Sequence, residues 1–190
     1  MTFRKVAQSI TAMAGVVLAS CLFTGVARAD ADPWILVDTR ARTLTVNSAD
    51  RVVKRFDGVA IGRNGAAETR AEGDGQTPLG TFEIAWVNDR SDFRLFFGLN
   101  YPTREHAERA FRAHLIDLST YLDIQLAIDN HRLPPQNTRL GGYIGIHGLG
   151  RADPDIHAST NWTQGCVALT DQQIKQLAAW IKPGTRVVIR

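Results

Sequence analysis

Cysteine is scarce in this 190-residue chain: Cys21 and Cys166 are the two it has. That scarcity excludes a disulfide-stapled scaffold and a cysteine-rich zinc ribbon. Nor is there an apolar run long enough to span a bilayer, which takes ~20 residues; the longest runs from Ile10 to Phe23. Internal repeats, low-complexity tracts and Pro/Ser-rich linkers are missing after Asp30, so one domain is expected. A charge of one sign is missing too. The formal net charge is +3, and three of the basic residues, Arg4, Lys5 and Arg28, lie in the first 29 positions, which contain no acid. Without that segment the chain is neutral, so its basicity is no footprint of nucleic-acid binding.

The first stretch has its own logic. Arg4 and Lys5 precede the apolar run, and Val26-Ala27-Arg28-Ala29 ends it in an A-x-A pattern. Basic start, short apolar run and small residues before a cut are the parts of a secretory signal. Cleavage after Ala29 is expected, leaving residues 30–190 as one exported domain. The alternative is Leu18-Ala19-Ser20-Cys21, which looks like a lipoprotein lipobox and would tether the protein to a membrane through lipid at Cys21. Cleavage at Ala29 leaves Cys166 as the lone thiol, and an odd cysteine in an exported protein marks a reactive one.

From Trp34 the pattern is β. Trp34–Val37, Leu44–Val46 and Val52–Ile61 read as strands, and Phe82, Ile84 and Trp86 alternate onto one face of another. Two helices are expected in the middle. Thr103 caps one with Ala107, Ala110, Phe111, His114 and Leu115 on its apolar side, but without a capping box. Ser119 starts the other, with Leu122, Leu126 and Ile128 as its apolar side and Pro134-Pro135 ending it. Gly141–Ile146 reads as a short strand delivering His147. A helix from Thr170-Asp171 to Ile181 and a last strand, Arg186–Ile189, close the chain. The expected fold is α+β and mainly β, a sandwich or barrel with helices packed at one side.

The chemistry concentrates in His147-Gly148 and Thr163-Gln164-Gly165-Cys166. A free thiol titrates near ~8.5, so nucleophilic use at neutral pH needs a base beside it. The His147 imidazole suits that role. Gly165 admits a sharp turn and close approach of an acyl carbonyl to local N–H groups. The helix start at Thr170-Asp171 predicts a thiol below the free value, through its dipole. These residues alone leave other readings open: Cys166 as a small buried hydrophobe, His147 as a structural strand residue, or His147, Asp153, His157 and Cys166 as a zinc set. His157 itself, in an Asp/Pro/Ser-rich loop, is expected in solvent.

His147-Gly148, the intervening loop and Gly165-Cys166-Val167 resemble the active-site signature of the L,D-transpeptidase (YkuD-like) catalytic domain. Gln76-Thr77-Pro78-Leu79-Gly80-Thr81-Phe82-Glu83-Ile84 resembles the same domain's T-P-x-G-x-F-x-I segment. The resemblance implies a single β-sandwich domain with helices at one side, acting on peptidoglycan stem peptides in the periplasm or cell envelope. Cys166 would form an acyl-enzyme by displacing a terminal D-alanine, then pass the acyl group to an amine. His147 would carry the proton, with the Gly148 carbonyl orienting its ring and N–H groups around Gly165 and Cys166 holding the oxyanion. Gln164, Thr163 and Tyr101 are the further substrate-site candidates. No metal or organic cofactor is implied. The pattern departs from the family in Gln164, where histidine is common, and in Ala168, where an arginine suited to a stem carboxylate is common. Arg139 and Arg151 are the candidates to replace that cation. Phe97–Pro102 and Gly165–Thr170 are more similar to the subgroup containing a periplasmic amidase that releases a wall-linked lipoprotein. That makes a hydrolase of the same fold the alternative activity, and a silent wall-binding module a distant one.

Overall fold

The computed structural model describes Met1 and residues 32–190. The expected export signal, its cut after Ala29, and Cys21 with its alternative lipid anchor lie outside those residues. The chain forms ten strands and four helices among the described residues. Alternation builds the first hairpin: β1 (Trp34–Asp38) buries Ile35 and Val37, and β2 (Thr43–Ser48) buries Leu44 and Val46. The edge strand β3 (Arg51–Asp57) exposes Val52 and Val53 and buries Phe56 alone. A two-stranded parallel ribbon, β4 (Ala66–Ala67) and β5 (Thr77–Pro78), flanks the Gly-rich loop. Then β6 (Gly80–Asn88) sends Phe82 and Ile84 inward, with Trp86 half-buried beyond a register shift.

The remaining strands are β7 (Phe96–Leu99), β8 (Gly145–His147), β9 (Val167–Ala168) and β10 (Arg186–Ile189). One eight-stranded sheet runs in the order β3-β2-β1-β10-β6-β7-β8-β9. It returns on itself, because Ala60, just past β3, pairs with Ala168 of β9. A single core fills the interior, from Ile35 and Val187 through Phe82 and Leu99 to Ile146 and Val167. The architecture is thus mainly β, one domain with helices, as expected, although three helices were expected and four are present.

The helices depart from expectation in detail. In α1 (Arg104–Arg112) the N-cap Thr103 makes no capping bond; its hydroxyl meets Glu105 and His106 instead. His114, expected on the apolar side, lies beyond the helix and exposed. The second helix, α2 (Leu118–Asp129), begins one residue earlier than expected because Asp117 accepts from the Thr120 N–H. Its apolar side is turned from the expected one: Leu118, Leu122 and Leu126 are exposed, whereas Ile124 and Ala127 are buried. Apolar residues surround this helix, so its packing against α1 rather than its period chooses the buried face. A short helix α3 (Pro154–Ser159) is capped by Asp153. The last, α4 (Asp171–Leu177), stops before the expected Ile181 and carries a reciprocal capping box between Thr170 and Gln173. The expected strand over 141–146 shortens to β8, which contains His147 as its last residue.

Candidate active site

Parallel pairing of β8 with β9 sets Ile146 opposite Val167 and His147 opposite Ala168, so Cys166 enters β9 beside Gly145. Cys166 is followed after β9 by the Thr170 cap of α4. The turn before Cys166 is held from within. The Thr163 hydroxyl donates to the Cys166 carbonyl at 2.7 Å and accepts from the Gly165 N–H at 3.1 Å. That second bond corrects an expectation: the Gly165 N–H is occupied, not free for an oxyanion. The Cys166 N–H has no partner among the described residues. Gly165 needs its freedom, with φ at +131° and the Gln76 carbonyl where a side chain would begin, 2.7 Å from an ideal Cβ. Gln164 is exposed at the rim, and Thr163 is buried.

His147 is 2% exposed. Phe93 lies over its ring at 4.3 Å between centroids, Phe96 stacks at 5.9 Å and Trp162 meets it edge-on at 6.0 Å. Its Nδ1 lies 2.7 Å from the Gly148 carbonyl. A carbonyl only accepts, so Nδ1 carries the proton and Nε2 keeps a lone pair. Burial lowers the His147 pKa against the Gly148 bond that raises it, with the nearby His157 adding to the fall. The imidazole is therefore neutral, a base in waiting. Asp171 braces the same turn: its Oδ1 accepts from the Gly150 N–H at 3.0 Å, and its other oxygen pairs with Arg94.

The thiol differs from expectation. Its surroundings push Cys166 up to about 11, by burial first, against smaller opposing effects of the Gly145 N–H and the Arg70 charge. The direction is opposite to the lowering expected from the start of α4: desolvation raises the thiol although Cys166 is only half-buried. The Sγ points at the Tyr143 carbonyl, 3.5 Å distant, and no hydrogen bond joins it to His147. At rest a neutral thiol stands at the entrance to β9 and a neutral imidazole at the end of β8.

Other expected site residues fall elsewhere. Tyr101 lines no surface: it is fully buried, its hydroxyl donating to the Leu140 carbonyl at 3.1 Å. His157, expected in solvent, is buried at 3%. Its Nδ1 accepts from the Trp162 indole at 3.3 Å. Asp153 spends its carboxylate on capping α3. Among the described residues no three His, Cys, Asp or Glu side chains converge as metal ligands. Ala168 is fully buried between β8 and Ala60, where an arginine has no room. Arg139 is exposed, and Arg151 is exposed and paired with Asp92. One residue that the sequence reading passed over comes to the site instead: Arg70, from the Gly-rich loop, whose guanidinium carbon would lie 3.6 Å from a Cβ on Gly165.

A sheet closed on itself that ends one strand in a histidine and starts its parallel neighbour just after a cysteine defines a class, and the profile of the L,D-transpeptidase catalytic domain matches residues 32–189. The chain belongs to that family. Among solved structures it is similar to the helical cell shape determining protein Pgp2 from Campylobacter jejuni, 18% identical over 85% of this chain and 48% of that one, with a TM-score of 0.59. It is likewise similar to Bd1075 of Bdellovibrio bacteriovorus, at 22% identity over 85% and 49% of the two chains and a TM-score of 0.51. Both likenesses are of fold, and this chain spans about half the length of each. No curated protein matches it.

Proposed function

We propose that this protein is an exported, peptidoglycan-modifying cysteine acyl transferase. The observation that carries the reading is the register of β8 against β9, which ends β8 at His147 and brings Cys166 to the entrance of β9 in an L,D-transpeptidase catalytic domain, with the His147 tautomer fixed by Gly148. The neutral thiol turns from the Tyr143 carbonyl toward His147 Nε2. His147 takes the proton as sulfur attacks the carbonyl preceding a stem peptide's terminal D-alanine. The Cys166 N–H faces the developing oxyanion, a contribution of about 3 kcal/mol in comparable sites. His147 then gives its proton to the departing amine, and a second amine opens the thioester. The place of work is the periplasm or cell envelope, with the export segment removed after Ala29 and Cys21 gone with it. A lipid anchor at Cys21 and a wall-linked lipoprotein as substrate are the competing readings of those two points. No nucleic acid takes part.

Incubation with purified muropeptides checks the reading by product mass. A cross-linked dimer is the expected product; a trimmed stem would assign the hydrolase activity, and unchanged substrate would sink both. A carbapenem is expected to add covalently to the protein but not to Cys166→Ala. His147→Ala should lose about 10²–10⁴-fold in acylation rate, the usual worth of a positioned proton carrier.

A further inference from the structure

A buried arginine with an unused donor stands beside the nucleophile. Arg70 is 4% exposed, and its guanidinium is fixed on two sides. Its Nε donates to Asp74 Oδ1 at 3.3 Å, and Nη2 to the Ala71 carbonyl at 3.2 Å. Asp74 is itself clamped, accepting from the backbone N–H groups of Ala71 at 2.7 Å and Gln76 at 2.9 Å. The Tyr101 ring lies 5.8 Å under the guanidinium. The third nitrogen, Nη1, is buried and has no hydrogen-bond partner among the described residues. It lies 3.5 Å from the point where a Cβ on Gly141 would sit, and Cζ 3.6 Å from the corresponding point on Gly165. Glycine at 141 and 165 puts no side chain against that edge of the guanidinium, and Gly165 adjoins Cys166.

A buried N–H donor left unmatched costs free energy, more so on a cation, so a fold keeps one where a ligand completes it. We propose that Arg70 is the anion-binding residue of this site: Nη1 donates to the carboxylate of a peptide chain terminus seated beside Cys166. The inference rests on the acyl-transfer reading, in which the scissile carbonyl is one residue from that carboxylate. It also accounts for Ala168. The position two after the cysteine is walled in by Ala60, and a cation comes instead from the loop before β5, beside Gly165. Asp74 and Tyr101 act as positioning residues for it.

The test uses two small alkylating agents of one shape, iodoacetate and iodoacetamide, on the purified full chain. Their rates at Cys166 give an anion-over-neutral ratio that needs no peptidoglycan. In Arg70→Gln/Asp74→Asn, which removes the ion pair as a unit, the ratio should fall about tenfold or more, the value of one hydrogen bond to a charged group. Circular dichroism confirms the fold of the variant. Should it not fold, Arg70→Lys keeps a cation against Asp74 but leaves no donor at the site, and the same fall is expected. A stem tetrapeptide with a free terminal carboxylate should be turned over faster than its carboxamide by wild type, and at equal rates by the variant. An unchanged alkylation ratio in a folded variant overturns the proposal whatever the peptides do. A lost ratio with no turnover of either peptide by wild type keeps the anion site and overturns the peptidoglycan reading.

Discussion

At Cys166 the sulfur carries its proton at rest, and the consequence is measurable. With the thiol pushed up to about 11, alkylation by iodoacetamide should climb tenfold per pH unit from neutrality toward pH 10 without a plateau. A plateau near pH 8 would show a preformed thiolate and remove the general-base role assigned to His147. Acylation by substrate should behave differently at the acid end. Because burial lowers His147, its base form persists below the ordinary histidine range, and acylation should hold its rate as pH falls to 6. At this scale the sequence was partly legible. Cys166 and His147 stand out because glycine flanks each and no second thiol follows residue 30. Arg70 does not stand out. It sits among Glu68, Glu72 and Asp74 like any solvated loop arginine, and its burial depends on where Gly141 and Gly165 arrive in space. Tyr101 and His157 were misplaced for the same reason, since local polarity says nothing about which segments later cover a side chain.

Among the elements, α4 is the best-specified helix in the sequence and the one tied to the site. Thr170 and Gln173 satisfy each other's end groups, and Asp171 reaches from the first turn to Gly150. Thr170→Ala should cost about 1 kcal/mol of stability, read as a lowered thermal midpoint. Asp171→Ala should leave the fold standing and slow acylation, because the turn that holds the Gly148 carbonyl against His147 loses its brace. Equal acylation rates in Asp171→Ala and wild type would separate α4 from the chemistry. The strands were legible through alternation and β-branched residues. The buried face of α2 was not, since Leu118, Leu122 and Leu126 repeat with helical spacing as cleanly as the residues that are buried. Periodicity finds a helix; only a partner chooses its face.

Over the whole molecule the two ends of the domain meet. The first strand pairs in parallel with the last, Ile35 opposite Val187, and Ala60 closes the sheet onto Ala168. Pairings this distant in sequence leave no local mark, so the β class was readable while the strand order was not. The closure ties the site to global stability, since β9 follows Cys166 directly and is held by the segment after β3. Substituting Ala60 with aspartate should therefore lower the unfolding midpoint and the acylation rate together. The family match begins at residue 32, two residues beyond the expected cut. Mass analysis of the protein recovered from cells is expected to show a chain starting at Asp30, with Cys21→Ser giving the same mass; a lipid-modified Cys21 would reverse that assignment.

The protonated thiol also bears on survival. Peroxide and disulfide oxidants attack thiolates, and a sulfur titrating near 11 presents only about one ionised copy in ten thousand at neutral pH. Cys166, the one cysteine among the described residues, is held in a form that resists oxidation chemically. On the acyl-transfer reading its reactivity appears only when a substrate brings His147 into play, so the same desolvation that slows the idle thiol keeps it usable.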